Sequence, residues 1–266
     1  MEKDQFDITE ILYPEEKASD PRFPDTPVYR YLSFEALQEL LLSKSIPLVK
    51  TKYWEDTYEN FLFKSETIVG ETSFDFNLHQ ERIFGSSWTK KCESDPLWRI
   101  YSQNKCGVRI RSNIRKLADS IQRRFNKLIA WSACVGEVKY LTLREIVDHF
   151  ERVPEDEFMA KAGKHFRDSM FMKRPEFEHE QEIRIIVKLM EGHSSGEVIS
   201  LPIVPSEVIE EITFDPRISD DLQRLFVSKL TLIGFEKIAN KSGLYSRDKL
   251  RIRFKPSFRK FEISDG

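Results

Sequence analysis

The sequence predicts an α+β fold: a single domain in which helices flank one mixed, mostly antiparallel central sheet. Three observations lead there. Short apolar runs with period-two alternation recur at residues 28–32, 107–111 and 183–187 and read as strands. Capped segments with apolar residues at helical spacing lie between them in an order too irregular for the strict β–α alternation of a doubly wound sheet. Finally, 40% hydrophobic and 32% charged residues over 266 positions describe a chain with a real core, able to bury roughly 75% of its unfolded surface. No linker interrupts residues 28–266, which read as one domain. Residues 1–27, with Pro14, Pro21, Pro24 and Pro27 among acidic residues, read as an irregular N-terminal arm.

The elements follow in chain order. After the strand at 28–32, Ser33 caps a helix carrying Phe34, Leu37, Leu40 and Leu41, with Pro47 marking its end. A loop holds Trp54, Asp56, Tyr58 and Glu59, and residues 82–89 form a second strand interrupted by small polar residues. Asp95 before Pro96 opens a helix with Leu97, Trp98 and Tyr101. Residues 107–111 are a strand, and Ser112 caps a helix to about Lys127. A strand at 133–141 and helices at 142–153 and 155–172 lead to the strand containing Glu180 and Glu182. A turn at 192–196 makes 197–201 its expected hairpin partner. A strand at 211–214, a helix from Asp220 to about Leu232 and an alternating strand at 249–255 complete the chain.

Composition removes several function classes. A formal net charge of −2 leaves no overall polyanion-binding excess, although local basic faces remain. Cys92, Cys106 and Cys134 are odd in number and form no CxxC pair, which points to a reducing, cytoplasmic setting. No cationic leader with an apolar run opens the chain, and no run approaches the roughly 18 apolar residues a membrane span needs. GxGxxG, P-loop and GxSxG patterns are missing, which argues against dehydrogenase, ordinary NTPase and α/β-hydrolase chemistry.

The most informative stretch is Glu180-Gln181-Glu182 followed by Ile183-Arg184-Ile185-Ile186-Val187. Strand periodicity puts Glu178, Glu180, Glu182 and Arg184 on one face and Ile183, Ile185 and Val187 on the other. Two carboxylates about 7 Å apart on one strand need cations, a ligand or a raised pKa to relieve their repulsion. They are either a solvated face balanced by Lys173, Arg174 and Arg184, or a general acid–base pair, metal ligands or stabilisers of a cationic transition state. Arg30, sharing a face with Val28 and Leu32, is either a buried ion-pair member or a fork for phosphate or ribose. Asp56 and Glu59 cap a loop or bind a cation or hydroxyl-rich ligand. Ser86, Ser87 and Trp88 offer hydroxyls and an aromatic plate for a flat heterocycle, or simply pack the core. Two basic runs, Arg111, Arg115, Lys116, Arg123, Arg124 and Lys127 and then Lys249, Arg251, Arg253 and Lys255, are solvated faces or a nucleic-acid surface.

Taken in order, these segments resemble the bacterial domain-of-unknown-function 2971 family. The pieces are Tyr29-Arg30-Tyr31, the acidic loop at 54–59, Ser87-Trp88, Leu97-Trp98-Arg99-Ile100-Tyr101 leading into Gly107-Val108-Arg109-Ile110, and the tract from Lys173 to Arg184. A second resemblance is to the arginine–serine–glutamate layout of ADP-ribosyltransferases, with Arg30, Ser86 or Ser87, and Glu180 with Glu182 in the matching places. The usual Ser-Thr-Ser is replaced by Ser86-Ser87-Trp88. This resemblance implies an ADP-ribosyltransferase-like fold and an NAD-consuming transferase or glycohydrolase, with NAD as substrate and no metal. A toxin or phage-defence effector acting on protein or nucleic acid would fit. In that reading Glu182 stabilises the ribosyl cation and Glu180 positions or deprotonates the acceptor. Arg30 holds the phosphate side, and Tyr31 or Trp88 stacks on nicotinamide. The alternatives are a metal-dependent nuclease or phosphodiesterase using Asp56, Glu59, Glu180 and Glu182, and a non-catalytic binding module.

Overall fold

The computed structural model describes residues 9–12, 20–56, 58–125, 129–193, 196–237 and 239–246, with the side chains of 9–12, 78 and 131 excepted. Its strands are β1 (Thr9–Leu12), β2 (Pro27–Ser33), β3 (Ser45–Lys50), β4 (Thr67–Val69), β5 (Thr72–Phe74), β6 (Ile83–Thr89), β7 (Gly107–Asn113), β8 (Ala130–Glu137), β9 (Lys139–Tyr140), β10 (Met172–Lys173), β11 (Glu182–Leu189), β12 (Val198–Pro202), β13 (Glu211–Phe214) and β14 (Ala239–Lys241). Its α-helices are α1 (Phe34–Ser43), α2 (Phe61–Lys64), α3 (Asp95–Tyr101), α4 (Ile114–Arg124), α5 (Leu143–Glu151), α6 (Glu155–Ala160), α7 (Ala162–Ser169), α8 (Pro205–Val208) and α9 (Asp220–Leu232). The expected α+β class holds: among the described residues one sheet runs β1-β8-β11-β6-β2-β7-β13-β14, with β3 and β12 attached off this path. Its pairings are antiparallel except β1 with β8 and β13 with β14. No helix among the described residues is long and apolar enough to cross a membrane.

The main core lies on one sheet face. Ile183, Ile185 and Val187 of β11 and Phe84 and Trp88 of β6 meet α1, α4 and α9 there, and Phe34 stacks on Phe226 with ring centroids 3.6 Å apart. The helices begin where their caps dictate: the Ser33 hydroxyl accepts from the Ala36 N–H at 3.1 Å, and Thr142 forms a capping box with Glu145. The opposite face carries a smaller cluster around Phe63, Ile83, Cys134 and Ile186.

The structure corrects several sequence expectations. Thr9–Leu12 of the N-terminal arm add a parallel edge strand to β8 instead of running irregularly. α1 stops at Lys44, which is left-handed at φ 51°, and Pro47 lies inside β3, where only β12 pairs with it. Ser94 and Asn113, not Asp95 and Ser112, accept the capping bonds of α3 and α4. The segment at 133–141 divides into β8 and β9, and 155–172 into α6, α7 and β10. β12 pairs with β3 and not with β11, whose neighbours are β6 and β8. The strand expected at 249–255 lies outside the described residues.

One topological feature positions the site. β6 pairs with β11 from Ile83 to Thr89 along one edge. Along its other edge it pairs with β3 only at Phe84 and Gly85 and with β2 only at Thr89. The sheet therefore parts beside Ser86, Ser87 and Trp88, and the backbone edge there faces a gap between two diverging strands. Trp54 closes one side of this gap by lying over Gly85, where an added Cβ would sit 2.6 Å from the indole Cζ2 and 3.2 Å from the Ile185 carbonyl oxygen. Gly85→Ala therefore forces Trp54 off the strand, and chemical denaturation should record a loss of about 1–3 kcal/mol. Unchanged stability with an unchanged Trp54 environment would show that the indole is not seated there.

Candidate functional site

The parted sheet opens into a cleft of about 470 Å³ floored by β2 and β6 and bounded by Trp54, Tyr101, Glu180 and Glu182. A second lobe of about 260 Å³ adjoins it, sharing Trp54, Ser87, Tyr101, Glu180 and Glu182 and adding Glu59, Lys173 and Phe177. Arg30, Tyr31, Ser86, Ser87, Trp88, Glu180 and Glu182, drawn from three distant stretches of sequence, all border the larger lobe.

The two glutamates reach it differently. Glu182 is the first residue of β11, and its side chain shares a face with Arg184, as strand periodicity requires. Glu180 is not on the strand: Pro175–Glu180 is a 3-10 helix, and Gln181 turns through the left-handed region at φ 45°. Glu178 is therefore not part of that strand face. The turn is pinned by the Thr89 hydroxyl, which donates to the Glu180 carbonyl, and by the Lys90 N–H, which donates to the Gln181 carbonyl at 3.0 Å.

Arg184 organises the acidic wall. It is 1% exposed, and its Nε and Nη2 donate to the two Glu182 oxygens at 2.9 Å each. Nη2 also donates to Glu59 at 2.5 Å and Nη1 to the Met170 carbonyl at 2.6 Å, while the Trp54 ring covers the guanidinium at 4.3 Å. Lys173 Nζ lies 2.7 Å from Glu180, 3.1 Å from Glu59 and 3.3 Å from Glu182. The Tyr140 hydroxyl accepts from the Glu182 N–H at 2.8 Å. Burial pushes the Glu182 carboxyl up, but Arg184, Lys173 and a Ser87 hydrogen bond outweigh it and hold the group down at about 2. The same carboxylates hold Lys173 above its usual range against the opposing effect of burial. Three carboxylates face two cations, so this wall carries one formal negative charge in excess.

Arg30 borders the same cleft. Arg30 is half-buried, its Nη1 is buried without a hydrogen-bond partner, and burial pulls the guanidinium below its usual range, with Tyr101 opposing. An unpaired buried guanidinium nitrogen is costly, so the ion-pair reading of Arg30 has no carboxylate to rest on among the described residues.

Other expected roles shift. Trp88 is 2% exposed and packed in the main core, and Tyr31 packs edge-on against Trp98 at 4.7 Å, so neither offers an open ring face. Tyr101, 49% exposed, and Trp54 are rings that line both lobes and that a ligand can reach. Ser87 is exposed and bonded to Glu182, whereas Ser86 is buried with an unpartnered hydroxyl. Arg174 does not balance the glutamates; it pairs with Asp56 at 2.9 Å. All four carboxylates of the metal-dependent alternative are thus engaged by Lys173, Arg174 or Arg184, and no group of three or more potential metal ligands converges among the described residues. Two arginines of the basic face expected for an acceptor are paired with carboxylates: Arg111 with Glu210 at 3.2 Å and Arg115 with Asp25 at 2.8 Å. Lys249, Arg251 and Arg253 lie outside the described residues. Tyr140 escaped the sequence reading because nothing local marks a tyrosine on a two-residue strand as a backbone acceptor.

Comparison with known proteins bears out the family resemblance over part of the chain. The family described as "Protein of unknown function (DUF2971)" matches residues 97–185, from within α3 into β11. No curated protein matches the sequence. Among solved structures, DarT from Thermus sp. 2.9 in complex with NAD+ aligns with a TM-score of 0.38 and 12% identity, covering 87% of this chain and 98% of that one. The same protein in complex with ADP-ribosylated single-stranded DNA aligns with a TM-score of 0.37 and 13% identity over 87% of this chain and 96% of that one.

The ion-pair geometry sets a pH dependence. A glutamate held at about 2 in the folded chain and near 4.3 when unfolded contributes stability that is complete above about pH 5 and drains away as the pH falls toward 2. Urea titrations should show this acid limb flattened in Glu182→Gln. At neutral pH, Arg184→Met should cost about 3–5 kcal/mol because it leaves the buried Glu182 and Glu59 to share Lys173 with Glu180. An Arg184→Met protein as stable as the parent would contradict the network.

Proposed function

We propose that the cleft binds NAD and catalyses transfer or hydrolysis of its ADP-ribosyl group. The observation that carries this reading is the mixed polarity of one hollow, lined both by an arginine with a buried, unpartnered nitrogen and by an acidic cluster with one excess negative charge. A dinucleotide with an anionic diphosphate and a cationic pyridinium is complementary to such a cleft. The arginine–serine–glutamate order along the chain supports the same reading.

Arg30 would take the diphosphate as a fork-shaped donor. The pyridinium would lie toward Tyr101 and Trp54, where rings are open and the field is negative. Heterolysis of the C1′–N bond sends its electron pair to the ring nitrogen, so nicotinamide leaves neutral and the positive charge moves onto the ribose. A fixed carboxylate beside C1′ lowers that barrier because it is already oriented before the charge appears. Glu180 is assigned this place. It is 19% exposed against 4% for Glu182, and among the described residues Lys173 alone pairs with its side chain, whereas Arg184 grips both oxygens of Glu182. This inverts the assignment expected from the sequence; Glu182 becomes the anchor that fixes Arg184 and, through Lys173, Glu180. The acceptor lone pair then bonds to C1′ and releases its proton to Glu180 or to water. The acceptor is water, a protein or a nucleic acid, and a toxin or defence role would follow from a macromolecular one.

A non-catalytic binding role is the second reading, favoured by the extent to which the glutamates are already paired with cations. Incubation with NAD separates the two. The parent protein should release nicotinamide, Glu180→Gln should lose at least about 100-fold of that rate, and Arg30→Gln should raise KM more than it lowers kcat. NAD binding with no nicotinamide released under any acceptor condition would favour the non-catalytic reading.

A further inference from the structure

Glu59 has no part in the ADP-ribosyl-transfer roles assigned above, yet it is the residue on which the charge of the cleft turns. It is buried at the edge of the smaller lobe, and its Oε1 is shared between Lys173 Nζ at 3.1 Å and Arg184 Nη2 at 2.5 Å. Its backbone is fixed from both sides. The Glu59 N–H donates to the Asp56 carbonyl at 3.0 Å, and Asp56 is tied to Arg174 at 2.9 Å. Asn60, left-handed at φ 62°, donates from Nδ2 to the Thr51 carbonyl at 2.8 Å.

Without Glu59, Lys173 and Arg184 would neutralise Glu180 and Glu182 one for one. With it, the wall keeps a negative charge that no neighbouring cation cancels. We propose that Glu59 is a positioning and specificity-determining residue: by occupying Lys173 and Arg184 it leaves the Glu180 side of the cleft electronegative, so that the site selects ligands whose ring is cationic over otherwise identical ligands whose ring is neutral. The inference rests on the dinucleotide reading of the cleft and adds to it the reason an oxidised dinucleotide is preferred to a reduced one. Glu59 acts through Lys173 and Arg184, so its effect is on discrimination by charge and not on a bond-making step. At the separations of a small cleft, one formal charge in a partly solvated environment is worth roughly a factor of ten in binding.

The test is calorimetric binding of a non-hydrolysable NAD analogue and of its dihydro form, which differ in ring charge. The parent protein should bind the oxidised analogue roughly tenfold tighter than the reduced one. Glu59→Gln removes the excess charge and should bring the ratio close to one, while Glu59→Asp keeps the charge and should preserve the preference. Lys173→Met raises the excess and should increase the ratio. That arm decides the matter if Glu59→Gln fails to fold, and a ratio that stays flat in it overturns the inference. A parent that prefers the oxidised analogue together with a folded Glu59→Gln protein of equal preference overturns the role of Glu59 and leaves the dinucleotide site standing. A parent that binds neither analogue overturns the dinucleotide site itself, and this inference with it.

Discussion

Arg184 is a charge almost wholly removed from water in the middle of a sheet, and the site is what its burial requires. Even after relaxation, taking such a group out of water costs several kcal/mol unless its donors find acceptors. Here each does: Glu182 takes Nε and Nη2, Glu59 shares Nη2, the Met170 carbonyl takes Nη1, and Trp54 covers the face. Each partner comes from a different segment, so satisfying one guanidinium ties β11, the turn before α2 and the end of α7 together. Lys173 then joins the network because Glu59 and Glu182 present more negative charge than Arg184 can balance, and through Lys173 the side chain of Glu180 is fixed in turn.

That polar assembly sits where the sheet cannot close. β6 is held along its β11 edge but touches β3 at one end and β2 at the other. Arg30 of β2 and the glutamates of the acidic wall border the same opening. Ile183, Ile185, Phe84 and Trp88 pack against helices in the main core, and the β6–β11 ladder that carries them is continuous from Ile83 to Thr89. On β11 the core residues and the acidic wall therefore use opposite faces of one strand.

Much of this was legible in the sequence. Period-two alternation correctly put Glu182 and Arg184 together and Ile183, Ile185 and Val187 in the core, because a strand buried on one face leaves little freedom of register. Glu180 was misplaced for a local reason: Gln181 adopts a left-handed conformation that usually calls for glycine or asparagine, and no residue type there announces it. Trp88 could not be assigned to core or cleft without knowing which face of β6 the helices cover. The charge state of the basic residues was equally hidden, since Arg115 finds Asp25 and Arg123 finds Glu207 across separations of more than 80 residues. For Asp56 and Glu59 the sequence leaves loop capping and ligand binding open, because their actual partners, Arg174, Lys173 and Arg184, are brought to them by β10, the residue after it and β11.

The most direct test of the central claim, that Arg30 and the Glu180 wall form the two poles of one ligand site, is a crystal structure of the protein with a non-hydrolysable NAD analogue. The account predicts the diphosphate within hydrogen-bonding distance of the Arg30 guanidinium, the pyridinium between Tyr101 and Trp54, and the ribose C1′ beside Glu180. An analogue bound elsewhere on the molecule, with Arg30 left untouched, would contradict it.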